Sequence, residues 1–162
     1  MRALVLFCGT KSIDRALEKV GFTVDSLDID PKCGATWTCD ILEWDAWRDM
    51  TPGLYDFIWA SPPCQQYSIA RTTAKTPRNL ELADSIVRRT LEIIHELAPK
   101  AYLAENPQTG LLKTREVVEG IPWRDVTYCT RLWGNLVDFV PRPVCTRCPW
   151  SAATGRRPTH AQ

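Results

Sequence analysis

The sequence predicts an α/β domain, a mainly parallel sheet with helices on both faces. Three observations carry that prediction. Residues 3–7 (Ala-Leu-Val-Leu-Phe) form a continuous apolar run, as expected of a strand buried on both faces. Between Ala83 and Leu97, the residues Ile86, Thr90, Ile93, Ile94 and Leu97 share one face at the spacing of a helix. Strand-like and helix-like segments alternate along the chain, which implies βαβ units with right-handed crossovers.

The elements follow in order. After the first strand, Cys8-Gly9-Thr10-Lys11 is a turn, and Ser12 is placed to cap a helix with Ile13, Ala16, Leu17 and Val20 on one side. Gly21 supplies its stop. A second strand runs from Thr23 to Leu27 and ends in Asp28-Ile29-Asp30-Pro31; a short third covers Ala35 to Thr38 and ends at Asp40. Residues 55–60 make a fourth strand, stopped by Ser61-Pro62-Pro63-Cys64. A polar loop from Gln65 to Asn79 precedes the long helix, and Tyr102 to Ala104 forms a fifth strand ending at Glu105-Asn106-Pro107. Beyond Gly110 the pattern weakens, with short strand pieces expected at Val126 to Tyr128 and Arg131 to Trp133. The division expected is one folded domain at 1–140 and a basic, Pro- and Arg-rich tail at 141–162.

Composition narrows the class. The 162 residues are 44% hydrophobic and 24% charged, enough for one compact domain. There is no long apolar run to span a bilayer and no signal-peptide pattern, which points to the cytoplasm. Seven cysteines, an odd number at irregular spacing, do not make a secreted disulfide framework. The net charge of +1 conceals two acid-free basic stretches. One holds Arg71, Lys75 and Arg78; the other holds Arg142, Arg147, Arg156 and Arg157. Either could face phosphates, or could be solvated loop and tail charge.

The chemistry gathers where the strands end. In open α/β sheets ligands bind beyond the carboxyl ends of the strands. There the sequence puts Cys8-Gly9-Thr10, Asp28, Asp40, Cys64 and Glu105 in turn. The Gly9 turn lacks the patterns of a dinucleotide or Walker loop. Asp28 has the placement of an acid that accepts from ribose hydroxyls, although Asp28 and Asp40 also suit caps and turns. Cys64 follows two prolines that restrict its backbone, and the basic loop after it is expected to favour thiolate.

Taken together, Leu6-Phe7-Cys8-Gly9-Thr10, Asp28-Ile29-Asp30, Asp40-Ile41, Ser61-Pro62-Pro63-Cys64-Gln65 and Glu105-Asn106-Pro107 resemble the cytosine-C5 DNA methyltransferases. The stretches Trp59 to Thr72 and Tyr128 to Asn135 resemble the small phage- and virus-type branch. The resemblance covers residues 3–135. It implies a Rossmann-like class I S-adenosylmethionine-dependent methyltransferase fold, with DNA presenting a flipped cytosine as substrate. Cys64 matches the nucleophile, Glu105 the acid at ring nitrogen 3, and Arg131 the arginine that contacts the base. For S-adenosylmethionine, Phe7, Gly9 and Thr10 match the cofactor turn, Asp28 the ribose acid, Ile29 the residue against adenine and Asp40 the contact to its amino group. Ile41 and Pro63 complete that set. Gln65, Ser68, Arg71 and Asn106 match the substrate side.

The chain also departs from the family. Lys11 and Ser12 replace glycines of the cofactor turn, with Lys11 expected to point to solvent. The segment before Arg131 is shortened, and Cys129 stands where another arginine is usual. These departures leave two other readings open. One is C5 methylation of a cytidine nucleotide; the other is a cofactor-binding subunit that needs a second chain for target recognition. Cys145 and Cys148 are half of a zinc knuckle, with His160 a candidate third ligand and Cys129 or Cys33 a fourth, but no spacing supports that set. Trp123, Trp133 and Trp150 are expected to pack in the core or at an edge rather than to serve as base-stacking platforms.

Overall fold

The computed structural model describes residues 1–48, 50–69, 76–126 and 130–136. The strands are β1 (Arg2–Leu6), β2 (Thr23–Asp28), β3 (Trp37–Thr38), β4 (Phe57–Ala60), β5 (Ala101–Pro107), β6 (Trp123–Asp125) and β7 (Thr130–Gly134). They form one sheet in the order β3-β2-β1-β4-β5-β7-β6. The first five are parallel; β7 runs antiparallel to β5, and β6 antiparallel to β7. Central β1 is flanked on both sides, and its Ala3 to Leu6 are all buried, which explains the lack of alternation.

Helix α2 (Leu80–Leu97) begins three residues before the expected Ala83, because Asn79 accepts from the Leu82 N–H at 3.0 Å and caps it. Its face Thr90, Ile93, Ile94 and Leu97 is buried as expected. Ile93, Ile94 and Leu97 pack with Leu4, Leu6 and Ile58 of β1 and β4, while Ala83 and Val87 pack with Tyr67 and Trp133. No helix among the described residues is long and apolar enough to cross a membrane.

Several expectations are corrected. Helix α1 (Ser12–Lys19) is not capped by the Ser12 side chain; Lys11 occupies the cap position in a left-handed conformation, φ 58°. Only part of the expected apolar side of α1 is covered: Ile13 and Leu17 are half-buried, and Ala16 is exposed. Asp14 is its buried residue, and Val20, just past the last turn, is 66% exposed. The fifth strand continues through Glu105 and Asn106 instead of ending before them. The strand expected at Val126 to Tyr128 lies earlier, at Trp123–Asp125, because Asp125 pairs with Arg131 and Trp123 with Trp133. Thr127, Tyr128 and the tail lie outside the described residues. Gly134 ends β7 against β5, where an added Cβ would sit 2.1 Å from the Tyr102 carbonyl oxygen.

Candidate active site

Because β1 to β5 are parallel, their carboxyl ends share one rim. The turn after β1 is unusual. Phe7, Gly9 and Lys11 all have positive φ, a conformation costly for side chains with a Cβ and common where a site fixes the backbone. Asp28 holds this turn: its Oδ2 accepts from the Gly9 N–H at 2.8 Å and its Oδ1 from the Asp30 N–H at 2.9 Å. Each oxygen retains capacity for a further donor. Beside it Ile29 is 64% exposed, an apolar side chain with nothing over it among the described residues. Lys11 does not point to solvent; its Nζ donates to the Gly34 carbonyl at 2.9 Å and ties the two loops. Asp40 Oδ1 accepts from the Leu42 N–H at 3.0 Å. Ile41 is in the core, 3% exposed, so its side chain does not line the rim, whereas Thr10 and Pro63 are exposed there.

The next two strands bring Cys64 and Glu105 together. Both are partly buried. Burial pushes the Cys64 thiol up, and the charge of Glu105 pushes it further. Most of the basic loop charge expected to lower it lies outside the described residues. Arg71 and Lys75 lie outside the described residues, and Arg78 is spent on the Gln66 and Ser68 carbonyls at 2.7 and 2.8 Å. Burial likewise raises Glu105, opposed by a hydrogen bond from Ser61. Trp59 Nε1 donates to Ser61 Oγ at 2.7 Å, leaving the hydroxyl proton for Glu105. Asn106 is fully buried and donates from Nδ2 to the Pro62 carbonyl at 2.9 Å, fastening the Cys64 turn to β5.

The turn is held from below as well. Tyr67, fully buried, donates from its N–H to the Cys64 carbonyl at 3.0 Å and from its hydroxyl to Asp84 Oδ1 at 2.8 Å. Arg115 grips the same carboxylate through Nε at 3.0 Å. Gln65 is exposed beside Cys64, and Ser68 is partly buried.

Arg131 is placed differently. Cross-strand partners share a sheet face, and Arg131 opposes Asn106 and Asp125 while Glu105 opposes Leu132. Its side chain therefore projects from the face opposite Glu105. There Asp125 binds it twice, at 2.7 and 3.0 Å, and its guanidinium lies 3.5 Å from the centre of the Trp123 ring. Of the tryptophans expected to pack, Trp133 does so at 2% exposure, but Trp123 is 52% exposed; Trp150 lies outside the described residues. Cys129, Cys145, Cys148 and His160 also lie outside them, and no metal-ligand cluster occurs among the described residues.

Residues 1–120 match the family model for C-5 cytosine-specific DNA methylases. The chain belongs to this family. A protein of Frog virus 3 (isolate Goorha), described as "Probable DNA (cytosine-5)-methyltransferase", is 34% identical over 172 residues, covering 92% of this chain and 78% of that protein. Among solved structures, Entamoeba histolytica methyltransferase EhMeth superposes with a TM-score of 0.61 at 14% identity, covering 88% of this chain and 55% of that one. An E. coli prophage-encoded chain assigned as a DNA modification methyltransferase gives 0.56 at 19% identity, covering 83% of this chain and 45% of that one. NodS of Bradyrhizobium japonicum, in complex with S-adenosyl-L-homocysteine, gives 0.52 at 12% identity, covering 82% and 76%. The methylase thus carries the class I methyltransferase fold but spans about half of the first two structures.

Family and fold imply use of S-adenosylmethionine. The rim fits it: the doubly anchored Asp28 carboxylate suits a ribose, and exposed Ile29 beside it suits an adenine face. The motifs pointed to Cys64 and Glu105 but not to their supports. Ser61 had a signal, a hydroxyl directly ahead of Pro62-Pro63-Cys64 at a strand end. Asp84 and Arg115 had none, being an acid on a helix and a base in a loop 31 residues on.

Proposed function

We propose that this methylase transfers a methyl group from S-adenosylmethionine to carbon 5 of cytosine in DNA, through a covalent bond from Cys64 Sγ to carbon 6. One observation carries the reading: a thiol and a partly buried carboxyl sit at the ends of neighbouring strands, each pushed by burial toward its proton-bearing form, with the charge of Glu105 acting on the thiol. Carbon 5 of cytosine is a poor nucleophile. Cys64 Sγ adds to carbon 6 as thiolate while Glu105 gives a proton to ring nitrogen 3, and the electron pair of the ring double bond becomes available at carbon 5. The bound cofactor supplies an electrophilic methyl group to that carbon. A solvent water at the open rim takes the proton from carbon 5, which expels Cys64 as thiolate and restores the double bond, and nitrogen 3 returns its proton to Glu105. For this the pair needs a single proton, carried on Glu105.

On the cofactor side Gly9, Asp28, Ile29 and Asp40 hold S-adenosylmethionine in this reading. Asn106 and Tyr67 keep the Cys64 turn in place, and Gln65 and Ser68 flank the substrate. Arg131 stiffens the rim through Asp125 and does not contact the base. The target must leave the duplex stack for Sγ to reach carbon 6.

The test is a duplex carrying 5-fluorocytosine, with S-adenosylmethionine present. Fluorine blocks the final elimination, so the expected product is a methylated, covalent protein–DNA adduct on a denaturing gel, absent in Cys64→Ser. Methyl transfer by Cys64→Ser at the wild-type rate would overturn the reading.

A further inference from the structure

Residues 61–68 belong to no helix or strand, so the place of Cys64 depends on what its turn is tied to. Upstream, Asn106 holds the Pro62 carbonyl. Downstream the tie is Tyr67, whose N–H donates to the Cys64 carbonyl at 3.0 Å. Tyr67 is fixed in its turn. Its ring is fully buried with Ala83, Val87, Leu112 and Trp133, and its carbonyl accepts from the Leu111 N–H at 2.9 Å. Its hydroxyl donates to Asp84 Oδ1 at 2.8 Å. Arg115 closes on both oxygens of that carboxylate, through Nε at 3.2 and 3.0 Å and through a terminal nitrogen. A line of hydrogen bonds thus runs from Arg115 through Asp84 and Tyr67 to Cys64. It joins the segment after β5, the start of α2 and the turn after β4.

Packing alone does not call for this line, since a phenylalanine would fill the same space. The Asp84 side chain is 13% exposed, so its charge costs desolvation, which the donors from Tyr67 and Arg115 offset. What a carboxylate adds over an apolar contact is direction: charge-assisted hydrogen bonds are short, and a guanidinium fork fits a carboxylate in a defined geometry. The protonation states are fixed too. Burial opposes the charge of Asp84, but the hydrogen bonds from Arg115 and Tyr67, with the charge of Arg88 nearby, hold its carboxyl below the usual carboxylate range. Burial and the Asp84 carboxylate push the Tyr67 phenol far up. Through the neutral range Tyr67 is a donor and Asp84 an acceptor, so the line supplies a fixed placement and no proton.

We propose that Asp84 and Arg115 are positioning residues for methyl transfer, holding the Cys64 thiol, through Tyr67, where it can reach carbon 6. The proposal deepens the DNA-methylation reading and rests on it. Reacting atoms must approach to about 3–3.5 Å, and a misplacement of about 1 Å costs about 10²-fold in rate. Loosening the line leaves the thiol and Glu105 chemically intact and lets the turn drift.

The experiment compares two reactions of the same thiol in the full chain. Adduct formation on the 5-fluorocytosine duplex, at saturating S-adenosylmethionine, demands placement. Alkylation by iodoacetamide, followed on the Cys64 peptide by mass spectrometry, does not. Tyr67→Phe keeps the buried ring and removes only the hydroxyl; it should slow the adduct about tenfold and leave alkylation no slower than in wild type. Its cofactor affinity, read by calorimetry, should be unchanged and reports an intact fold. Arg115→Met should slow the adduct by less, and should add little to Tyr67→Phe, because its effect passes through the hydroxyl. A wild-type adduct rate in Tyr67→Phe would overturn the proposal. So would equal slowing of both reactions, which would mean altered thiol reactivity, and so would additive effects of the two substitutions, which would mean that Arg115 acts by another route. No adduct from wild type, with cofactor bound, overturns the methyl-transfer reading and the proposal with it.

Discussion

The two halves of the rim solve opposite problems. Around β1 to β3 the half-buried carboxylates are anchored by backbone N–H groups, as with Asp28 on Gly9 and Asp30, and Asp40 on Leu42. Around β4 and β5 the ionisable groups are partly buried and pushed toward their protonated forms, as with Cys64 and Glu105. The first half is a preformed receptor whose carboxylates are already positioned by backbone donors. The second holds its charges back until a substrate makes them useful. Binding and chemistry can therefore be damaged independently, and each variant below checks that division.

Glu105→Gln should have the largest effect. A glutamine keeps the size but cannot give a proton to the ring, and loss of general acid catalysis costs about 10²–10⁴-fold in rate. Single-turnover methyl transfer would measure it, with cofactor affinity unchanged by calorimetry; a matching loss of cofactor affinity would break the division. Gly134→Ala comes next and acts on stability. Its Cβ would meet the Tyr102 carbonyl at 2.1 Å, and neither strand backbone can yield without losing the β5–β7 pairing. Overpacking of this kind costs about 3 kcal/mol, to be read from urea unfolding. An unchanged midpoint would mean that β7 is not held as described.

Asp28→Asn sharpens the receptor side. Its side chain can present only one acceptor oxygen where the carboxylate presents two to the Gly9 and Asp30 N–H groups. Hydrogen bonds to a charged group are worth about 1.5–3 kcal/mol, so cofactor affinity should fall about ten- to hundredfold. The rate of adduct formation at saturating cofactor should be retained. A fall in that rate without a fall in affinity would place Asp28 in the chemistry instead.

The same division explains what could be read from the amino-acid order. Buried parallel strands leave apolar runs, and a helix leaves spacing, so β1, β4 and α2 were legible along with the rim where ligands gather. Cys64 and Glu105 were legible because they stand at strand ends inside recognisable motifs. Face was not legible for the antiparallel pair. Arg131 has the motif position of a base contact, yet its register against Asn106 turns it to the other side of the sheet, and a one-residue change in register would reverse that. The thiol environment was legible only in part, because Arg71 and Lys75 lie outside the described residues. Arginines near Cys64 in sequence suggested activation, but Arg78 is engaged by two carbonyls, and burial governs the thiol.

Ser61→Ala has the smallest expected effect and tests the catalytic half most directly. The reactive pair must carry one proton, on Glu105 and not on Cys64, so activity rises with pH as the doubly protonated state is lost and falls as the last proton leaves. Those two pH values belong to the pair. Ser61 donates to Glu105 and favours its carboxylate, against the burial that raises it. Removing the donor raises Glu105 further, which moves the ascending limb to higher pH and enlarges the share of the productive form at the plateau. Ser61→Thr keeps the hydroxyl and should keep the wild-type profile. Trp59→Phe removes only the indole donor to Ser61 Oγ, freeing the hydroxyl to turn away, and should shift the limb in the same direction by less. If Ser61 merely shapes the turn before Cys64, Ser61→Ala would lower the plateau and leave the limb where it was, and the account of how Glu105 is tuned would fall.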